Sequence, residues 1–173
     1  MRRLVYILFI VTLFSSFDLP KSAYKKMDKT IANLWQDKVI KKIPIELSQQ
    51  QKNDFQLKDS DLIYQLSNNN KTVAYLYLSQ AKSRSDIIDY MIIFNPNISI
   101  LTVQVLVYRE DFGGEVGSKR WLRQFKGKTN GVGMKFGQDI QNISGATISA
   151  RNMSESVLQV SKKMIKIKSK GVL

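Results

Sequence analysis

From Ala146 the apolar positions of the chain fall at Ala150, Met153, Val157, Val160, Met164 and Ile167, in alternating steps of four and three. That is the helical period, and it predicts a long amphipathic helix with Ser144 as its N-cap. A second run, 21–42, sets Tyr24, Met27, Ile31, Leu34 and Trp35 against lysines and predicts another helix, ended by Pro44. Between the two, the segments 61–67, 72–79, 86–94 and 98–108 are rich in Ile, Val, Tyr and Leu, as strands are. Asn68-Asn69-Asn70 joins the first two segments and Asn95-Pro96-Asn97 the last two, both with turn chemistry. Residues 118–125 read as a short helix carrying Trp121, Leu122 and Phe125, closed by Lys126-Gly127-Lys128. The pattern predicts an α+β fold: an antiparallel sheet of four or more strands flanked by helices, with no internal repeat.

Glycine usage divides this scaffold from the region where a ligand can approach backbone. All nine glycines lie beyond Phe112, and eight fall from Gly113 to Gly145. One group, in Tyr108-Arg109-Glu110-Asp111-Phe112-Gly113-Gly114-Glu115-Val116-Gly117, follows the longest predicted strand. It lacks the G-x-G-x-x-G spacing and the βαβ context of a dinucleotide fingerprint. The other stretch is Ser144-Gly145-Ala146-Thr147-Ile148-Ser149 at the start of the last helix. Orphan N–H groups and the helix dipole attract phosphate there, with the Thr147 hydroxyl at its edge. An ordinary capped helix after a glycine turn has the same appearance.

The chain has neither cysteine nor histidine. Disulfides, thiolate or imidazole metal sites and every triad built on His or Cys are therefore excluded. Carboxylates, hydroxyls, amines, backbone or a borrowed cofactor remain, and the borrowed cofactor fits best. Adjacent Glu110 and Asp111, placed on a strand, would point to opposite faces and could not share a substrate. Arg109 and Lys119 read as solvated surface charge, and Trp121 as core more readily than as a stacking platform.

Twenty-seven basic residues against fourteen acidic give a net charge of +13, which suits nucleic acid, an anionic membrane or an acidic partner. Arg2-Arg3 ahead of the uncharged stretch 4–17 decides among them. A positive start and a short apolar run form the pattern of an export signal, so residues 1–20 are expected to be a signal peptide or membrane anchor. Residues 21–173 are expected to form one domain on the periplasmic side of the cytoplasmic membrane, which disfavours nucleic acid. Lys162, Lys163, Lys166, Lys168 and Lys170 complement the negative end of the final helix.

Ser144-Gly145-Ala146-Thr147 followed by Ile148-Ser149 resembles the flavinylation motif of the FMN-binding domain family. That family includes the peripheral subunits of the Rnf and sodium-translocating NADH:quinone reductase complexes. The resemblance implies covalent FMN, joined by a phosphoester to the motif's last threonine by an FAD-dependent flavin transferase. Here that residue is Thr147, with Ser144, Gly145, Ala146 and Ser149 beside it. The family often has aspartate three residues before the serine; this chain has Gln141, and Asp139 is the nearest acid. A second motif is similar in the right order: an acid at a strand end, a glycine loop near the isoalloxazine ring, and a helix with an aromatic and a Phe-Lys-Gly ending. Its residues here are Glu110, Gly113, Gly114, Trp121 and Phe125. The resemblance implies an electron carrier between membrane or periplasmic redox proteins. The alternative is an exported basic binding or assembly module of the same fold without flavin.

Overall fold

A computed structural model describes residues 19–36 and 38–173. The expected signal or anchor, apart from Leu19 and Pro20, lies outside the described residues. Five strands form one antiparallel sheet in the order β1-β2-β3-β4-β5: Lys41–Pro44, Leu62–Asn68, Lys71–Lys82, Ile87–Phe94 and Ile100–Val107. Every neighbour in the sheet is a neighbour in sequence, so no connection crosses over another strand. The β2–β3 hairpin turns on Asn69 and Asn70, both at positive φ. Asn68 pairs with Lys71 across this two-residue loop, whose backbone matches the twist of the strands. At the β4–β5 turn, Asn95 Oδ1 accepts from the amides of Asn97 and Ser99, each at 2.9 Å.

The strands β3 and β4 carry continuous apolar runs, Val73 to Leu78 and Tyr90 to Phe94, because both faces of the sheet are covered there. Tyr77, Tyr90, Ile92 and Phe94 point to one face, where they meet Ala150, Met153, Val157, Val160, Met164 and Ile167 of α4 (Thr147–Ser169). Leu76, Leu78, Met91 and Ile93 point to the other, where they meet Leu19 and then Ala23, Met27 and Ile31 of α1 (Lys21–Leu34). Alternation along each strand thus feeds two separate cores. Burial of one such Ile, Leu or Met contributes about 1.5–3 kcal/mol, so the two layers of helix are integral to the sheet.

One expectation is corrected. The helix predicted over 21–42 ends at Leu34, and Lys41–Pro44 is a strand. Only Ala23, Met27 and Ile31 of α1 are buried, and the lysine-rich continuation has no apolar stripe to dock. It satisfies the free edge of β2 instead, with Pro44 at the sheet margin, where a missing N–H is tolerated. A short helix α2 (Gln49–Asp54) lies in a stretch where the pattern predicts no element. Ser48 Oγ accepts from the Gln51 amide and Gln51 Oε1 from the Ser48 amide, a reciprocal capping box. The helix predicted over 118–125 is present as α3 (Lys119–Leu122) followed by a 3-10 turn, Arg123–Phe125, with Ser118 as N-cap.

Candidate functional site

Three loops converge at the same end of the sheet: the β3–β4 turn, the segment leaving β5, and the start of α4. They enclose a cavity of about 780 Å³, within the roughly 300–1,000 Å³ of cofactor and small-molecule sites. Its walls include Arg84, Ser85 and Asp86 from the first loop and Arg109 to Gly113 from the second. Gly145 to Ser149 close it. The two separated glycine motifs therefore face one space.

Gly113 is the point where they touch. Its φ of +79° is left-handed, and a Cβ there would lie 2.9 Å from the Tyr108 hydroxyl and 3.0 Å from Cβ of Ala146. Only glycine permits that approach, and Ala146 supplies the smallest side chain opposite it. Tyr108 completes the joint by donating its hydroxyl to the Phe112 carbonyl at 2.7 Å. Burial raises the Tyr108 pKa; the Ser149 hydroxyl pulls it down, and the Glu110 carboxylate pushes it further up. A phenol at the end of β5 thus spans both motifs.

Glu110 fastens the third loop. Its Oε1 accepts from Ser83 Oγ at 2.5 Å, the Ser85 amide at 2.7 Å, Ser85 Oγ at 3.1 Å and the Asp86 amide at 3.2 Å. These donors, the Ser83 hydroxyl first, hold its pKa down to about 2. Glu110 is therefore an anion at any ordinary pH, with one oxygen occupied in shaping the cavity, and it is no general acid. Arg109 also differs from its sequence reading. Its guanidinium pairs with buried Asp89 on β4 and donates to the Ile87 carbonyl at 2.8 Å, so it is held rather than freely solvated. The premise about Glu110 and Asp111 fails too: β5 ends at Val107, and both residues line the cavity from a loop.

The start of α4 departs from the expected cap. Ala146, not Ser144, occupies the N-cap position, and no side chain caps the helix. Gly145 at φ +79° turns the chain so that the Ala146 amide bonds back to the Ile143 carbonyl at 3.1 Å, leaving Ser144 exposed in the turn. The first-turn amides of a 23-residue helix are thus left without a side-chain partner. Thr147, the first residue of α4, is exposed, and its Oγ1 makes only a long 3.4 Å bond to the Ile143 carbonyl. Ser149 is buried, so the two hydroxyls of the motif differ sharply in access.

Of the residues singled out from the sequence, Glu110, Gly113, Gly145, Ala146, Thr147 and Ser149 line the cavity; Gly114, Trp121 and Ser144 do not. Trp121 is buried, edge-on to Phe125, and donates Nε1 to the Gln141 carbonyl at 2.7 Å. That bond, with the Gln141 amide donating to Gln124 Oε1 at 2.8 Å, ties the segment before the motif to α3 and the turn after it. Sequence reasoning did not single out Tyr108, although it heads the glycine stretch. It gave no signal for Arg84, Ser85 and Asp86, which carry no motif and arrive only through the β3–β4 hairpin. Among the described residues no cluster of acids could hold a metal ion, and no helix is long and apolar enough to cross a membrane.

Comparison with known proteins bears on this same stretch. A search of curated proteins returns no match. Residues 84–162 match the model of the FMN-binding domain family, and every residue lining the cavity lies inside those limits. The stretch 84–162, which holds the cavity where the two glycine motifs meet, is therefore similar to the FMN-binding domain family.

Proposed function

We propose that this protein is an extracytoplasmic electron-transfer flavoprotein whose FMN is joined through a phosphoester to Thr147. The observation that carries the reading is the exposed Thr147 hydroxyl, held at the cavity mouth on the uncapped start of α4. The residues fit the group. The first-turn amides of α4 offer unsatisfied donors for a phosphate, Gly145 leaves open space beside them, and Gly113 and Ala146 bring the two loops together with the least side-chain bulk. Bound FMN supplies the redox chemistry, which protein side chains lack.

The chain's own residues do the rest. Thr147 Oγ1 gives up its proton and becomes the ester oxygen, while adenosine monophosphate leaves an FAD donor held by a flavin transferase. Glu110 keeps the β3–β4 wall in place. Arg109, anchored by Asp89, and Arg84 place positive charge on the wall, while Asp86, Glu110 and Asp111 offset it. Tethering suits a carrier outside the cytoplasm, where a diffusible flavin would be lost, and the positive start before 4–17 is consistent with that location. Membrane or periplasmic redox proteins would be the partners.

The test is co-expression with a flavin transferase, followed by denaturation and washing. Yellow colour and flavin fluorescence should stay with the parent chain and with Thr147→Ser in part. A reporter fused after Leu173 that works only in the periplasm should be active. Free flavin released on denaturation would reject the covalent link, and a reporter active only in the cytoplasm would reject the location.

A further inference from the structure

The far flank of the sheet carries a second recessed surface, away from the cavity and independent of the flavin reading. β5 is an edge strand. Its first residue is covered: the Gly127 amide donates to the Ile100 carbonyl at 2.7 Å, and the Ile100 amide donates to the Lys128 carbonyl at 2.9 Å. Beyond Ile100, among the described residues, no backbone group outside the sheet bonds to β5. Residues Leu101 to Gln104 instead form the floor of a groove of about 300 Å³. One wall is the end of α1, with Thr30, Asn33 and Leu34; the other is α3 and the turn after it.

That second wall is cationic. Lys119, Arg123 and Lys126 all line the groove, all are exposed, and no acidic residue lines it. None of the three pairs with an acid among the described residues. An open edge strand is a template for another strand, and cations along it repel a second copy of the same edge. The same charges attract a strand of opposite sign. Because strand side chains alternate, an added strand would turn every second residue toward the cations and the others toward Leu34 and α1.

We propose that the β5 edge is a docking site for an acidic, extended segment of a partner protein. The segment would add as a sixth strand over Leu101 to Gln104, with carboxylates at alternate positions facing Lys119, Arg123 and Lys126. Backbone bonds to the edge provide the affinity, and the cations select the partner. Four residues of strand span about 13 Å, which suits a short linear segment rather than a folded domain.

The probe is a capped heptapeptide of alternating Glu and Val, titrated into the full chain and followed through its amide resonances. Shifts should concentrate at Leu101 to Gln104. A Lys-Val peptide should bind at least tenfold more weakly, as should a Glu-Val peptide N-methylated on alternate residues to remove its ladder donors. The variant Lys119→Glu/Arg123→Glu/Lys126→Glu should lose the Glu-Val peptide by at least tenfold and reverse the preference. All three side chains are exposed, so its melting temperature should stay near the parent's; if it does not fold, Arg123→Glu alone should weaken binding severalfold. Equal binding of the N-methylated peptide would overturn strand addition. So would unchanged groove amides with shifts scattered over other basic surfaces, or equal binding of both charge types.

Discussion

Two carboxylates, Asp61 and Glu110, each gather a set of donors, and they do opposite things. Asp61 lies sealed between the sheet and α4. Its Oδ2 accepts from the Tyr77 hydroxyl at 2.8 Å and the Lys58 amide at 2.9 Å, with Lys163 Nζ at 3.5 Å; its Oδ1 accepts from Ser79 Oγ at 2.6 Å. Burial, with the Asp61 charge beside it, pushes the Tyr77 phenol far above its ordinary range. Glu110 gathers hydroxyls and amides too, its short bonds all from the β3–β4 loop, at the wall of an open cavity. The first network joins layers of the core; the second shapes a site. Equal hydrogen-bonding capacity is therefore worth different things, because desolvation rather than bond number sets the penalty for losing a partner.

The largest effect expected from this contrast is in Asp61→Ala. It strands the buried Tyr77 and Ser79 hydroxyls and takes the carboxylate from half-buried Lys163, and should lower stability by about 3–5 kcal/mol, read from urea unfolding. Gly113→Ala comes next. The left-handed φ and the contacts with Tyr108 and Ala146 should cost about 1–3 kcal/mol and sharply reduce flavin loading, because the clash falls between the two motifs. Glu110→Gln should leave the melting temperature nearly unchanged while accelerating amide exchange at Ser85 and Asp86 and weakening flavin retention. A loss of stability in Glu110→Gln as large as that in Asp61→Ala would break the comparison.

The smallest effect concerns pH. The Glu110 pKa is lowered from 4.5 to about 2, so its fastening of the loop is fully present above the ordinary carboxylate range. The contribution is lost as pH falls from about 4.5 toward about 2. Ser85 and Asp86 protection should follow that window in the parent chain and be flat through it in Glu110→Gln.

Periodicity made most of the fold legible. The seven apolar positions from Ala146 to Ile167 are all buried, and four strand segments sit within a few residues of their expected limits. What escaped was decided by neighbours. The stretch after Leu34 is too short and too basic for a helix to bury, and it becomes β1 only because β2 has a free edge to pair. The capping box at Ser48 was present in the sequence, but a helix of six residues with no buried side chain leaves no apolar stripe.

The site was legible where backbone demanded glycine, as at Gly113 and Gly145. It was illegible at Arg84 to Asp86, whose place depends on hairpin length. The cap was misread for a physical reason: Gly145 takes a left-handed turn, which moves the helix start past Ser144 and exposes Thr147. That displacement suits the proposed attachment at Thr147, since a capping serine would have occupied a first-turn amide.

The most direct test is the mass of the peptide containing Ser144 to Ser149 after co-expression with an active flavin transferase. The account predicts a gain equal to FMN less one water on Thr147, and no gain in a well-folded Thr147→Ala. An unmodified wild-type peptide would contradict it, as would the same gain persisting in Thr147→Ala, which would move the acceptor to Ser144 or Ser149.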